Sequence, residues 1–150
     1  MGRKMNDFKL TENFSFFELT RTDKAEFQEL NRKKGLCYVP DLKLVTVTIL
    51  EPVRAHYGKP VIVHSGFRCY ELNKVVGGSV NSQHMLGQAA DFHVDGISID
   101  ELFQWFWHAS GIPFGQLIDE SRDGERWAHG STGDKHEVLV FKDGKYARLA

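Results

Sequence analysis

Ser82-Gln-His84-Met-Leu-Gly87-Gln-Ala-Ala-Asp91 sets an imidazole and a carboxylate seven positions apart, with a glycine between them. Glycine allows the tight turn that can bring both side chains to one point. Trp127-Ala-His129 offers a second imidazole later in the chain. A catalytic zinc site takes three protein ligands and keeps a further position open for water or substrate. Two imidazole nitrogens and one carboxylate oxygen suit Zn²⁺, and other divalent metals are compatible with the same donors. The chain holds seven histidines, so the His-x6-Asp spacing alone does not choose among them.

Elements must carry these residues to one place. Ser15-Phe-Phe-Glu18 reads as a capping box, in which each side chain satisfies a free N–H at a helix start. A second helix is expected over 23–32, with Ala25, Phe27 and Leu30 for packing. Leu42, Val45, Ile49 and Val53 recur at spacings of three and four, which predicts an amphipathic helix from Pro40 to Tyr57, stopped by Gly58. Residues 60–64 form a short apolar strand and 65–83 read mainly as an irregular, glycine-containing loop. A strand follows over 89–94. Ser98-Ile-Asp-Glu101 is a second capping box, opening a helix that ends near Gly111. Strands over 116–120 and 126–129 flank a turn at Arg122-Asp-Gly124, and strands over 137–141 and 146–148 flank Asp143-Gly144. Helices first and strands later predict one α+β domain over 1–150, a small, largely antiparallel sheet carrying the site between helices.

Composition narrows the function. Lys+Arg 19 against Asp+Glu 20 leaves a net charge of -1, which argues against a nucleic-acid partner. No apolar run is long enough to span a bilayer, and the charged N-terminus lacks the apolar region of a signal peptide. The expectation is a chain made in the cytoplasm and needing another agent to cross a membrane. Cys37 and Cys69 are too few for a disulfide scaffold and are expected as reduced, partly buried thiols.

The segment 82–91 resembles the Ser-x-His-x-x-Gly-x-Ala-x-Asp motif of the zinc D-alanyl-D-alanine carboxypeptidase and dipeptidase family of metallopeptidases. Ser65-Gly-Phe-Arg68, Asn73 with Gly77-Gly78-Ser79, Gln116-Leu-Ile-Asp-Glu120 and Trp127-Ala-His129 resemble further family elements in the same order. Asn13-Phe-Ser-Phe-Phe-Glu-Leu and Leu50-Glu-Pro-Val-Arg54 are similar to its compact branch, common in phages and prophages. The resemblance implies the fold shared by hedgehog-like domains and D-Ala-D-Ala peptidases, with His84, Asp91 and His129 as zinc ligands. It implies a monomeric enzyme cutting peptidoglycan stem peptides, as a D-Ala-D-Ala carboxypeptidase or an L-Ala-D-Glu endopeptidase. Such an enzyme would reach the wall after holin-type release or as a virion component. Arg68 would clamp a substrate carboxylate or carbonyl. Ser82 would bind substrate or cap the turn before His84. Glu120 is the expected general base, with Glu125 and Asp123 as rivals.

Two departures stand out. Many relatives carry an acid three residues before the last histidine, where this chain has Arg126; and Gly130 replaces the usual apolar residue after that histidine. Gly130 reads either as a bulge or as room for substrate. A zinc-containing binding or structural module on the same fold is the alternative function. His93 points to the same strand face as Asp91, His64 precedes the Ser-Gly-Phe-Arg loop, and Trp105, Phe106 and Trp107 read as packing residues.

Overall fold

A computed structural model describes residues 3–150. Among the described residues, six α-helices and six strands follow the expected order, helices first and strands later. Helix α1 is Phe16–Leu19, started by the predicted capping box: the Ser15 hydroxyl accepts from the Glu18 amide at 3.2 Å and Glu18 accepts from the Ser15 amide at 3.1 Å. Helix α2, Gln28–Gly35, follows a 3₁₀ turn at Ala25–Phe27, so the helix expected over 23–32 starts and ends later.

The helix expected from Pro40 to Tyr57 is one helical run with a wide turn inside it. Helix α3, Val39–Val45, passes through a π turn, Thr46–Leu50, into α4, Glu51–Tyr57. Pro52 explains the wide turn: it has no N–H to offer the carbonyl four residues back, and its ring crowds that carbonyl. Gly58 ends the run in the left-handed conformation, φ 62°.

The strands are β1, Val61–Ser65; β2, Ala89–Val94; β3, Gln116–Arg122; β4, Glu125–Ser131; β5, Glu137–Lys142; and β6, Lys145–Arg148. Their order across the sheet is β1-β2-β4-β3-β5-β6. All pairings are antiparallel except β3 with β5, which is parallel. Gly115 donates to the Ser131 carbonyl and Glu137 donates to the Gly115 carbonyl, so the chain leaving β4 crosses the start of β3 to its free edge. A hairpin turn at Asp143-Gly144 then adds β6.

The sheet has one wet face and one dry face. Phe92, Ala90, Ala128, Leu117 and Val138 point to the dry face with Leu42, Val45, Ile49, Leu102 and Phe106, all buried. Helix α6, Ile99–His108, packs on β2, β3 and β4, and α3 packs on β2. Each fully buried Phe or Leu there contributes roughly 1.5–3 kcal/mol. Ser98 caps α6 through its hydroxyl, but the reciprocal bond expected of a capping box is absent among the described residues.

The region 65–83 is not all loop. It contains α5, Tyr70–Val75, too short for a readable helical period. Both cysteines are free: Cys69 is buried, whereas Cys37 is exposed rather than partly buried.

Candidate metal centre

Register brings the site together. Antiparallel pairing sets Asp91 of β2 directly opposite His129 of β4. Directly opposed side chains on one face lie close enough to share a ligand. His84 arrives from outside the sheet, on a 3₁₀ turn, Gln83–Leu86. The Ser82 hydroxyl starts this turn by accepting from the His84 amide at 3.2 Å. Gly87 ends it at φ 68°, a backbone conformation costly for residues with a Cβ.

Three atoms converge. His84 Nε2 lies 3.2 Å from Asp91 Oδ1 and 3.2 Å from His129 Nδ1, and His129 Nδ1 lies 2.9 Å from Asp91 Oδ1. All three side chains are buried. His84 Nδ1 faces the Gly66 carbonyl at 2.6 Å. A carbonyl only accepts, so Nδ1 carries the proton and Nε2 turns a lone pair toward the other two residues. Burial holds His84 below the ordinary imidazole range, against the pull of Asp91. For Asp91 burial acts upward, but the facing His84 and His129 hold its carboxyl well below the usual carboxylate range. A buried carboxylate and converging lone pairs call for a cation between them. Tetrahedral zinc with bonds of about 2.0–2.1 Å separates its ligands by about 3.3 Å, close to the triangle seen here. The donors therefore fit zinc in both type and size.

Gly66 matters because it lets the loop approach the rest of the chain. A Cβ there would lie 2.4 Å from the Leu19 carbonyl oxygen. The loop is pinned by the Phe67 amide, which donates to that same oxygen at 2.8 Å. Asn31 of α2 completes the support: its amide donates to the Thr20 and Phe67 carbonyls at 2.8 and 2.9 Å, and its oxygen accepts from the Cys69 amide at 2.8 Å. Asn31 went unnoticed in the sequence because an asparagine in a polar helical stretch carries no signal of burial.

Arg68, Ser82, His84, Asp91, Glu120 and His129 all line one cavity of about 910 Å³, within the range of ligand sites. Arg68 is largely buried and ends 3.9 Å from Asp91 Oδ2. It donates to Asn73 Oδ1 at 3.2 Å and to the Ser82 hydroxyl at 3.4 Å. Burial lowers its pKa, opposed by Asp91 and Glu120. Ser82 thus caps the turn and braces Arg68.

Glu120 Oε1 lies 3.9 Å from His129 Nδ1. Burial and then the Asp91 charge raise its pKa, while His129 and Arg122 pull it down. Asp123 sits in the exposed β3–β4 turn at φ 50°, and Glu125 is exposed at the cavity margin. Arg126 faces the other way, as an odd offset from His129 on a strand requires. It binds Asp119 through 2.8 and 2.7 Å contacts and Asp100 at 2.6 Å. Gly130 corrects both readings offered for it. The pairing of β4 with both neighbours runs through it without a bulge, and it points to the dry face, where a Cβ would meet Ile49 at 3.4 Å. It makes no room for substrate. His93 lies on the face of Asp91 as expected, with its Nδ1 2.6 Å from His64 Nε2.

A segment of the chain is 49% identical over 49 residues to the zinc D-Ala-D-Ala carboxypeptidase of Streptomyces albus G, covering 32% of this chain and 19% of that protein. The match therefore spans about a fifth of that relative's length. The family model described as Peptidase M15 matches residues 13–123, which include His84, Asp91, Arg68 and Glu120 and stop short of His129. His129 lies beyond the matched residues and is set opposite Asp91 by the pairing of β4 with β2. Fold, matched segment and the order of the motif residues agree, and the chain belongs to the peptidase M15 family.

Proposed function

We propose that this chain is a zinc peptidase acting on the stem peptides of bacterial peptidoglycan. The observation that carries the reading is the His84–Asp91–His129 triangle with a buried carboxylate, Glu120, 3.9 Å from its edge. The family membership and the D-Ala-D-Ala carboxypeptidase relative support it. His84, Asp91 and His129 would hold the metal. Zinc bound there would supply a Lewis acid that polarises the scissile carbonyl and acidifies a water.

The remaining work falls to this chain's own side chains. Glu120 takes the proton from the attacking water and returns it to the leaving amine. Burial and the Asp91 charge raise its pKa, the direction that helps it hold the proton it must pass to the leaving amine. Arg68 presents a planar guanidinium, held by Asn73 and Ser82, to a substrate carboxylate or carbonyl. Its fixed geometry lowers the ordering cost of binding. We place the action at the cell wall, reached after holin-type release or on a virion; the likeness to the compact phage branch supports this.

The test is mass spectrometry of defined muropeptides incubated with the zinc-loaded protein. Cleavage at a D-Ala-D-Ala or L-Ala-D-Glu bond is the expected result. It should vanish, together with bound zinc, in His84→Ala and His129→Ala. Intact stem peptides after incubation with fully metallated protein would overturn the reading.

A further inference from the structure

Glu120 has two oxygens in different surroundings. Oε1 faces His129, and Oε2 lies 3.5 Å from Arg122 Nε. Arg122 is itself fixed from outside β3. Its guanidinium carbon lies 4.1 Å above the Phe141 ring of β5. Phe141 packs against Tyr146 of β6 at a centroid distance of 4.6 Å. The sheet makes this arrangement necessary. Glu120 pairs with Phe141 and Phe141 with Tyr146, so all four side chains share the wet face. Arg122, Glu120 and Tyr146 line the cavity. The platform belongs to the β5–β6 hairpin, beyond the residues matched by the family model.

We propose that Arg122 is a positioning residue: stacked on Phe141, it grips Glu120 by Oε2 and so presents Oε1 to the His84–Asp91–His129 centre. This rests on the reading of Glu120 as the base. A carboxylate on a flexible side chain samples several rotamers, and displacement of a catalytic group by about 1 Å costs roughly 100-fold in rate. A guanidinium on an aromatic face is held in one plane, as a lysine ammonium is not. The rival role for Arg122, direct capture of a substrate carboxylate, would act on substrate affinity instead of turnover.

The experiment measures kcat and KM for muropeptide hydrolysis with zinc-loaded protein. Arg122→Ala should lower kcat roughly 10- to 100-fold with little change in KM or zinc content. Arg122→Lys should recover part of the loss, and Phe141→Leu should lower kcat in the same direction by less. The decisive arm is the double variant. If Arg122 acts through Glu120, adding Arg122→Ala to Glu120→Gln causes no further loss, because coupled residues are not additive. Losses that multiply, or a rise in KM at unchanged kcat, overturn the proposal while leaving the peptidase reading intact. Full activity of Glu120→Gln overturns the base assignment and this proposal together, and no hydrolysis by the unsubstituted protein overturns the peptidase reading itself.

Discussion

At the residue scale, Glu120 and its rivals differ in burial more than in distance along the chain. Glu120 is 7% exposed beside His129, whereas Asp123 and Glu125 stand in water. Burial raises the proton affinity of a carboxylate, which favours Glu120 as the group that takes and returns the proton. Glu120→Gln is therefore expected to keep one zinc per chain and to lose hydrolysis by about 10²- to 10⁴-fold. Metal analysis beside a turnover assay checks this, and undiminished turnover would pass the role to another group. Gly130 supports a different prediction. Its Cβ position is in ordinary contact with Ile49 and Phe92 and its φ is not positive. Gly130→Ala should therefore leave hydrolysis unchanged and stabilise the fold by about 0.4–1 kcal/mol, through reduced freedom of the unfolded chain. A destabilisation on denaturant titration would mean that Ile49 cannot yield.

At the element scale, four pieces hold the site, and of these only the 3₁₀ turn and β2 adjoin in sequence. Strands β2 and β4 set Asp91 against His129, the 3₁₀ turn delivers His84, and the loop before α5 fixes the His84 ring through the Gly66 carbonyl. Asn31 ties that loop to α2 with two hydrogen bonds, at Phe67 and Cys69, adds a third to the Thr20 carbonyl, and is wholly buried. Asn31→Ala would leave the buried Cys69 amide and the Phe67 carbonyl without their Asn31 partner, at a cost of roughly 2–4 kcal/mol. The same change should weaken zinc binding by about 10- to 100-fold, because the support for a ligand's own hydrogen-bond partner is lost. Chemical denaturation and zinc competition titrations read the two effects separately. Unaltered zinc affinity in a destabilised variant would show that the loop holds its place without Asn31.

At the scale of the whole molecule, the sheet separates two functions. Its dry face buries the aromatic and aliphatic core against the helices, and its wet face carries the charged site. Buried Asp91 between two imidazoles is a poor arrangement without a cation, since an uncompensated buried charge is expensive. Zinc should therefore stabilise the fold as a whole. At free zinc 100-fold above its dissociation constant, mass action contributes about 2.7 kcal/mol. Thermal unfolding with and without a chelator should show this as a lower midpoint in the chelated protein, with no such difference in His84→Ala. Coincident melting curves for the unsubstituted protein would mean that the ligands do not bind metal in the folded state.

The family resemblance named His84, Asp91 and His129 as ligand candidates, and the structure brings the three together. The sequence by itself was enough for the α+β class, the caps at Ser15 and Gly58, and the two hairpin turns. These rest on residue types, short spacings and local backbone preferences, all legible within a few positions. Its reading of 65–83 as loop missed α5, because so short a helix leaves no period. Tertiary structure alone decided which side chains share a face. Arg126 and Gly130 lie next to the site in sequence and away from it in space, since neighbouring strand residues point to opposite sides. Asn31, Phe141 and Tyr146 lie far from the site in sequence and reach it through hydrogen bonds, packing and strand pairing. Such non-local pairings are set by the register of the folded sheet, and no local pattern encodes them.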